Sequence, residues 1–347
     1  MNERRLRELL ERFPKLRLLV VGDFFLDKYL ILDRRLSEVS LETGLEAYQV
    51  VQVRPQPGAA GTVAANLRAL GAQVVALSVI GDDSEGYELK RRLHELNVDI
   101  EHLIEQPDRH TPTYTKPIMQ EPDGRRHELN RMDIKNRTPL LPDVEAEIVS
   151  RLRKLVPKVD GVAIVDQVQE PNCGVVTDRV RKEIARLAEA HPEKTFIADS
   201  RVRIGQFRGV MIKPNRREAA LAVGSDPERK ADQAEVRRWG ELLQKRSEKP
   251  VFITAAEQGI FLFAPDGFHH VPAVPATGPI DPVGAGDSVM AGLLAALCAG
   301  GSLVEAAELA NLVAAVTIRQ LGTTGTATPN QVLAQFRALR DRADLGS

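Results

Sequence analysis

The residues with the clearest chemical purpose stand at 281–288: Asp281-Pro282-Val283-Gly284-Ala285-Gly286-Asp287-Ser288, followed directly by an apolar run at 289–299. Gly284, Ala285 and Gly286 carry almost no side chain, so the backbone can turn tightly and aim its N–H groups at one point. The run beyond is rich in Ala and Leu and predicts a helix. A small-residue turn feeding a helix N-terminus suits a phosphate or another anion. Asp287 closes the turn, and a carboxylate beside an anion hole can take the proton of an attacking hydroxyl. An Asp there also makes an ordinary helix N-cap, and an isolated Gly-x-Gly-Asp does not separate the two.

Other residues with chemical potential fall at the ends of predicted strands. Gly22-Asp23-Phe24-Phe25-Leu26-Asp27 offers two carboxylates that can accept paired hydrogen bonds from sugar hydroxyls, or cap a turn. Gly58 opens a small-residue stretch that runs to Asn66 and lets a substrate approach the backbone. Lys116 and Arg131 can pair with a phosphate or lie on the surface as solvated charge. Asp166 and Asp199 end successive strands and either bind a ligand or cap them. In Lys213-Pro214-Asn215-Arg216-Arg217-Glu218, the amide and the carboxylate three residues apart can hold waters of Mg²⁺, or form a capping box. Thr254 and Gly259 bracket a strand–turn–strand.

The elements that must position these residues alternate between strand and helix. Apolar runs at 16–21, 74–80, 162–165, 195–198, 209–213, 251–254 and 259–263 read as strands, most of them without polar alternation, as in strands buried on both faces. Helices are expected at 61–70, 81–96, 177–190, 218–223, 231–245, 287–299 and 303–321. This order implies a mainly parallel sheet covered by helices on both faces, with ligands at the strand C-terminal ends. Residues 34–53, 111–119 and 125–132 read instead as exposed strands, the last two around a turn at 121–124. They predict a small β-strand lid, about 34–56 and 110–133, within one domain spanning 1–347.

Bulk properties narrow the classes. The chain has 347 residues, 43% of them hydrophobic, enough for a full core. A net charge of −1 gives no global reason to bind nucleic acid. Cys173 and Cys298 are the only cysteines, too few for a disulfide framework or a zinc site. Residues 1–14 are charged and amphipathic, without the apolar core of a signal peptide. No apolar run has the length of a membrane span. The expectation is a cytoplasmic protein that binds neither membrane nor nucleic acid.

The ordered set of motifs resembles the ribokinase-like carbohydrate kinases, the phosphofructokinase B family, over residues 16–329. The resemblance implies an ATP-dependent sugar kinase using Mg²⁺. It makes Asp287 the base and Gly284, Ala285 and Gly286 the turn that stabilises the transferring phosphoryl group. It makes Asp27 the grip on the sugar and Asn215 and Glu218 the Asn-x-x-Glu motif that governs Mg-ATP, Glu218 holding the metal through water. It puts Thr254, Gly259 and Asn311 around the nucleotide, and Asp281 and Val283 in a monovalent-cation (K⁺) loop.

Asp23, Asn66, Arg131 and Asp133 are similar to one branch, the heptose-7-phosphate kinases, which implies D-glycero-D-manno-heptose 7-phosphate as acceptor, bound with help from Asp23, Gly58, Asn66, Lys116, Arg131 and Asp166. Ala59 and Thr62 depart from the family's Gly and Asn. The alternatives are another acceptor (ribose, fructose phosphate or a ketodeoxygluconate type) or a non-catalytic nucleotide or sugar sensor on the same fold. Some relatives of the branch carry a fused nucleotidyltransferase domain, which is not expected here. Exposed lid edges predict a homodimer. No Gly-x-x-x-x-Gly-Lys-Ser/Thr is present, which excludes a P-loop enzyme.

Overall fold

In the computed structural model every residue is described except Lys230, Thr277 and 346–347, and side-chain surroundings are described through Asp341. The strand Arg17–Gly22 sits inside a nine-stranded sheet. On one side of it lie Gln73–Gly81 and Leu103–Gln106; on the other, in order, Gly161–Asp166, Thr195–Ser200, Met211–Ile212, Val251–Thr254, Ile260–Ala264 and Gly267–Val271. All neighbours are parallel except the last two pairs. The mainly parallel sheet is the one expected from the strand and helix order.

The absence of polar alternation in the first strand has a direct cause. Leu18 and Val20 pack into a core with helices Ala60–Ala69, Ser84–Glu95, Ala285–Cys298 and Leu303–Thr317. Leu19 and Val21 pack into a second core with Pro142–Leu155, Asp178–Ala190, Arg216–Val223 and Gln233–Ser247. Each face of the sheet is therefore apolar, and polar side chains concentrate at the strand ends.

The second sheet has the order Met132–Ile134, Thr113–Gln120, Phe24–Asp33, Val50–Ala59, with Arg126–Glu128 also paired to Thr113–Gln120. It starts at Phe24, not at 34 as expected. The strand Phe24–Asp33 follows Arg17–Gly22 almost without a break, and Gly22 makes the change of sheet possible. Its φ is +149°, and a Cβ there would lie 2.0 Å from the carbonyl oxygen of Val165. The turn at 121–124 forms as expected, with the Gly124 N–H donating to the Glu121 carbonyl at 2.9 Å. The described residues also include a helix Pro329–Leu345 and a strand Gly267–Val271 that the sequence pattern did not reveal.

Candidate active site

Register within the second sheet builds one half of the site. Asp27 lies directly across from Gln56 on one side and Tyr114 on the other; Tyr29 lies across from Arg54 and Lys116. Residues in such rows, two apart along each strand, share one face. Asp27 is buried, and Lys116 Nζ stands 3.1 Å from its Oδ2 and donates to the Tyr29 hydroxyl at 3.3 Å. Burial pulls the Lys116 pKa down, but the Asp27 carboxylate and the Tyr29 hydroxyl together outweigh it and hold the ammonium above its ordinary value. Gly58 makes room for this arrangement, since a Cβ there would come 3.0 Å from Asp27 Cγ. Arg131 is paired with Asp133 at 2.6 Å and lies 4.1 Å over the Tyr114 ring.

The other half comes from the main-sheet strand ends. Asp199 follows the core of its strand, and Lys213 follows the neighbouring strand; the pairing Ala198↔Ile212 sets them side by side. Lys213 is only 2% exposed, and its Nζ is 3.0 Å from Asp199 Oδ2. Asn215 and Glu218 form a reciprocal capping box: Asn215 Oδ1 accepts from the Glu218 N–H and Glu218 Oε2 from the Asn215 N–H, each at 2.8 Å. The helix Ala285–Cys298 opens on Gly284 at φ +79°. Ala285 N–H closes the turn on the Pro282 carbonyl at 3.1 Å. That amide is therefore not available to an anion, contrary to the expectation that all three small residues contribute. The next donors are the first-turn amides of Gly286 and Asp287, which a helix leaves without intrahelical acceptors.

Both halves line one cleft of about 1250 Å³. Its walls include Asp27, Lys116 and Arg131 from the second sheet, and Asn215, Glu218, Thr254, Gly259, Gly284, Ala285, Gly286, Asp287 and Asn311 from the main body. Val283 also borders it. Asp281 does not: its Oδ1 accepts from the Val283 N–H and its Oδ2 from the Gly322 N–H, at 3.1 and 2.9 Å. Asn311 Nδ2 is tied to the carbonyl oxygens of Val271 and Pro272 at 3.2 and 2.9 Å.

Three expected side-chain ligands lie elsewhere, and Gly58, also expected to bind substrate, does not border the cleft. Asp23 is buried and accepts from the backbone N–H groups of Gln167, Val168 and Val175 at 2.7–2.9 Å, so both its oxygens brace a loop. Asp166 is fully buried and accepts from Arg203 and the Ser200 hydroxyl, each as close as 2.6 Å. Asn66 is fully buried too; its Nδ2 donates to the Thr62 and Gly325 carbonyls at 3.0 and 3.3 Å. None of the three borders the cleft. Lys213, Arg201, Thr62, Tyr114 and Glu128 do border it without having been assigned a site role from sequence. The usable signal was Lys213 itself, because a lysine ending a buried strand needs a carboxylate partner.

The electrostatics are lopsided. Asp199, Glu218 and Asp287 crowd around Lys213. Burial, and then the Asp199 carboxylate, push both Asp287 and Glu218 up to about 7. Three acids face Lys213 and, more weakly, Arg201, which leaves a surplus of negative charge that a divalent cation would offset. Among the described residues no group of three or more His, Cys, Asp or Glu is arranged to hold a metal directly. The site thus fits an ion that keeps most of its ligands as water or phosphate oxygen, the habit of Mg²⁺. Chemically, the cleft juxtaposes a carboxylate tuned near neutrality with a helix N-terminus.

Residues 29–172 and 210–331 match the family described as pfkB family carbohydrate kinase. The bifunctional protein HldE of Trichlorobacter lovleyi is 31% identical over 337 residues, covering 96% of this chain and 65% of that protein. Its namesake from Citrifermentans bemidjiense is 31% identical over 340 residues, covering 96% and 66%. The chain spans just under two thirds of the length of these relatives. Among solved structures, Arabidopsis thaliana ribokinase complexed with ribose and ATP superposes with a TM-score of 0.69 at 18% identity, covering 93% of this chain and 99% of that one. Escherichia coli phosphofructokinase-2 with substrates and products gives 0.69 at 16% identity, covering 94% and 100%.

Proposed function

The chain belongs to the pfkB family of carbohydrate kinases, and from that premise we propose that it transfers the γ-phosphoryl group of ATP to a hydroxyl of a sugar phosphate, D-glycero-D-manno-heptose 7-phosphate. That it is a phosphotransferase acting on sugar hydroxyls follows from the family; the acceptor is our assignment. The observation that carries it is the charge of the acceptor wall. Lys116, Arg131 and Arg201 all border the cleft near Asp27 or Tyr114. Arg201 contacts the Gln167 side chain at 3.2 Å and has no carboxylate within ion-pair distance among the described residues. A guanidinium left without a carboxylate on a sugar-binding wall suits a phosphorylated acceptor, because Arg forks onto phosphate oxygens. The branch resemblance of Arg131 and Asp133, and the alignment with the HldE proteins, support the heptose.

In this reading Asp27 accepts hydrogen bonds from acceptor hydroxyls, with Lys116 paired beside it. Asp287 takes the proton of the attacking hydroxyl as its oxygen bonds to phosphorus and the bond to the ADP oxygen breaks. The Gly286 and Asp287 amides hold the charge on the transferring group. Asn215 and Glu218 would hold Mg²⁺ through water, with Asp199 as a further charge partner. The ion, when bound, neutralises phosphate charge. Thr254, Gly259 and Asn311 are assigned to the nucleotide. Asp281 shapes the 281–283 loop, to which we assign a K⁺ site built chiefly of backbone carbonyls.

Two further assignments accompany this. The second sheet leaves Val51, Val53 and Met132 exposed, and the separate hairpin of Glu38–Val39 and Glu46–Ala47 leaves Val39, Leu41 and Leu45 exposed, which supports a homodimer through the lid; a monomeric mass in light scattering at micromolar concentration contradicts it. Free Cys173 and Cys298 support a cytoplasmic location. No helix among the described residues is long and apolar enough to cross a membrane.

The acceptor assignment is tested by ADP release with Mg-ATP across ribose, fructose 6-phosphate, ketodeoxygluconate, and heptose with and without its 7-phosphate. Turnover confined to heptose 7-phosphate, with KM raised at least tenfold by Arg201→Ala, supports it. Preference for an unphosphorylated sugar overturns it.

A further inference from the structure

The strand Val50–Ala59 carries two polar residues, Arg54 and Gln56, that share the acceptor face but do not border the cleft. Both reach out of the second sheet to the loop 322–324. Gln56 Nε2 donates to Thr323 Oγ1 at 2.7 Å, and Thr324 Oγ1 donates to Gln56 Oε1 over a longer 3.5 Å. Arg54 lies 4.8 Å over the Tyr29 ring and donates through Nη2 to the Gly322 carbonyl.

That loop in turn holds the anion turn from both sides. Gly322 N–H donates to Asp281, whose other oxygen accepts from Val283 N–H. Thr324 lies against Gly284, where a Cβ would meet its methyl at 3.2 Å. The far end of the loop is braced by Asn66 through the Gly325 carbonyl. Two chains of contacts therefore join the acceptor carboxylate to the phosphoryl-transfer turn. One runs from Asp27 through its neighbour Gln56 and Thr324 to Gly284. The other runs from Asp27 through Lys116, Tyr29 and Arg54 to Gly322, Asp281 and Val283.

We infer that Arg54 and Gln56 are positioning residues that clasp the acceptor sheet to the loop behind the anion turn and so set the distance between the attacking hydroxyl and the phosphoryl group. Near-attack geometry requires the reacting atoms about 3–3.5 Å apart, and a displacement of about 1 Å costs on the order of 10²-fold. Asp27 sits on the second sheet, whereas the Gly284 turn opens a helix of the main body. The clasp supplies a side-chain link between the second sheet and that turn. Arg54 and Gln56 lie off the cleft and act through geometry, while Thr324 borders it.

The inference rests on the kinase chemistry of the cleft, and its test has an arm that needs no acceptor. In a double-mutant cycle, Gln56→Ala and Thr323→Val each lower kcat about tenfold or more while KM for both substrates stays within about threefold. The double variant is no slower than either single one, because both remove the same contact. Thr323→Ser, which keeps the hydroxyl, restores turnover, and Arg54→Lys outperforms Arg54→Ala. Melting temperatures stay close to that of the parent protein. Additive losses, unchanged kcat, or losses that simply follow a fall in melting temperature overturn the clasp.

In the acceptor-free arm, amide hydrogen exchange in the 322–326 segment quickens several-fold in Gln56→Ala and Arg54→Ala; exchange equal to the parent's also overturns it. Should the parent turn over no acceptor on the panel, the acceptor assignment fails, and exchange alone still decides the clasp.

Discussion

Lys213 Nζ lies 3.0 Å from Asp199 Oδ2, in a pair almost closed to solvent, and Glu218 and Asp287 are its next charged neighbours. A Cβ on Gly286 would come within 3.7 Å of the same ammonium, so the pair sits directly under the anion turn. Burial works against the ammonium, but the three acids more than offset it and hold the Lys213 pKa above its ordinary value. Lys213 is thus the fixed positive charge of the site, and the acids around it compete for one partner.

Lys213→Met removes that charge and leaves Asp199 buried without compensation. Stability at pH 8 should fall by about 3–5 kcal/mol, the usual result of breaking a buried pair from one side. The pH at which activity switches on should also rise, because Asp287 loses its nearest cation. Urea unfolding and a pH–rate profile check both; an unchanged profile contradicts the role given to Lys213.

In the free enzyme kcat/KM should rise with pH through about 7 and then level, as Asp287 loses its proton. The profile is measured with limiting Mg-ATP, little free Mg²⁺ and a poor acceptor, so that kcat/KM reports the metal-free site and chemistry limits turnover. A flat profile between pH 5.5 and 8.5 contradicts a base at this position.

Stability should run the other way. Asp287 and Glu218 have ordinary values of 3.8 and 4.5 and folded values of about 7. Between those limits the folded protein holds protons that the unfolded chain has released, so folding weakens as pH rises from about 4 to about 7. Asp287→Asn carries no charge to bury. It should melt higher than the parent at pH 8 and nearly equal at pH 5. Equal melting at pH 8 means that Asp287 is not held up by its surroundings.

Much of this site was legible in the sequence because its central parts are contiguous. The turn 284–287 and the pair Asn215 and Glu218 each lie within four residues, so residue type and spacing define them. Asp23, Asp166 and Asn66 misled because a strand-end carboxylate or a helical amide can satisfy either a ligand or a neighbouring loop. Only the fold shows that Asp23 accepts three loop N–H groups. The Lys213–Asp199 pair was hidden because parallel strand pairing, not sequence proximity, joins its members. The first lid strand was hidden because only Asp23 separates it from the core strand before it.

Gly58→Ala probes the acceptor half without touching charge. The added methyl would stand 3.0–3.1 Å from the Asp27 carboxylate, closer than ordinary packing allows. Acceptor KM should rise several-fold, with KM for ATP and the melting temperature little changed. A KM for acceptor equal to the parent's contradicts the assignment of Asp27 as the grip on the sugar.

The central claim, that Asp287 is the base of a phosphoryl transfer to a sugar phosphate, is tested most directly by one comparison. Acceptor-dependent ADP release with Mg-ATP and heptose 7-phosphate is measured for the parent and for Asp287→Asn, with nucleotide binding measured alongside. The parent should turn over, the variant should lose about 10²–10⁴-fold, and both should bind nucleotide equally. Turnover that survives the substitution within tenfold contradicts that claim.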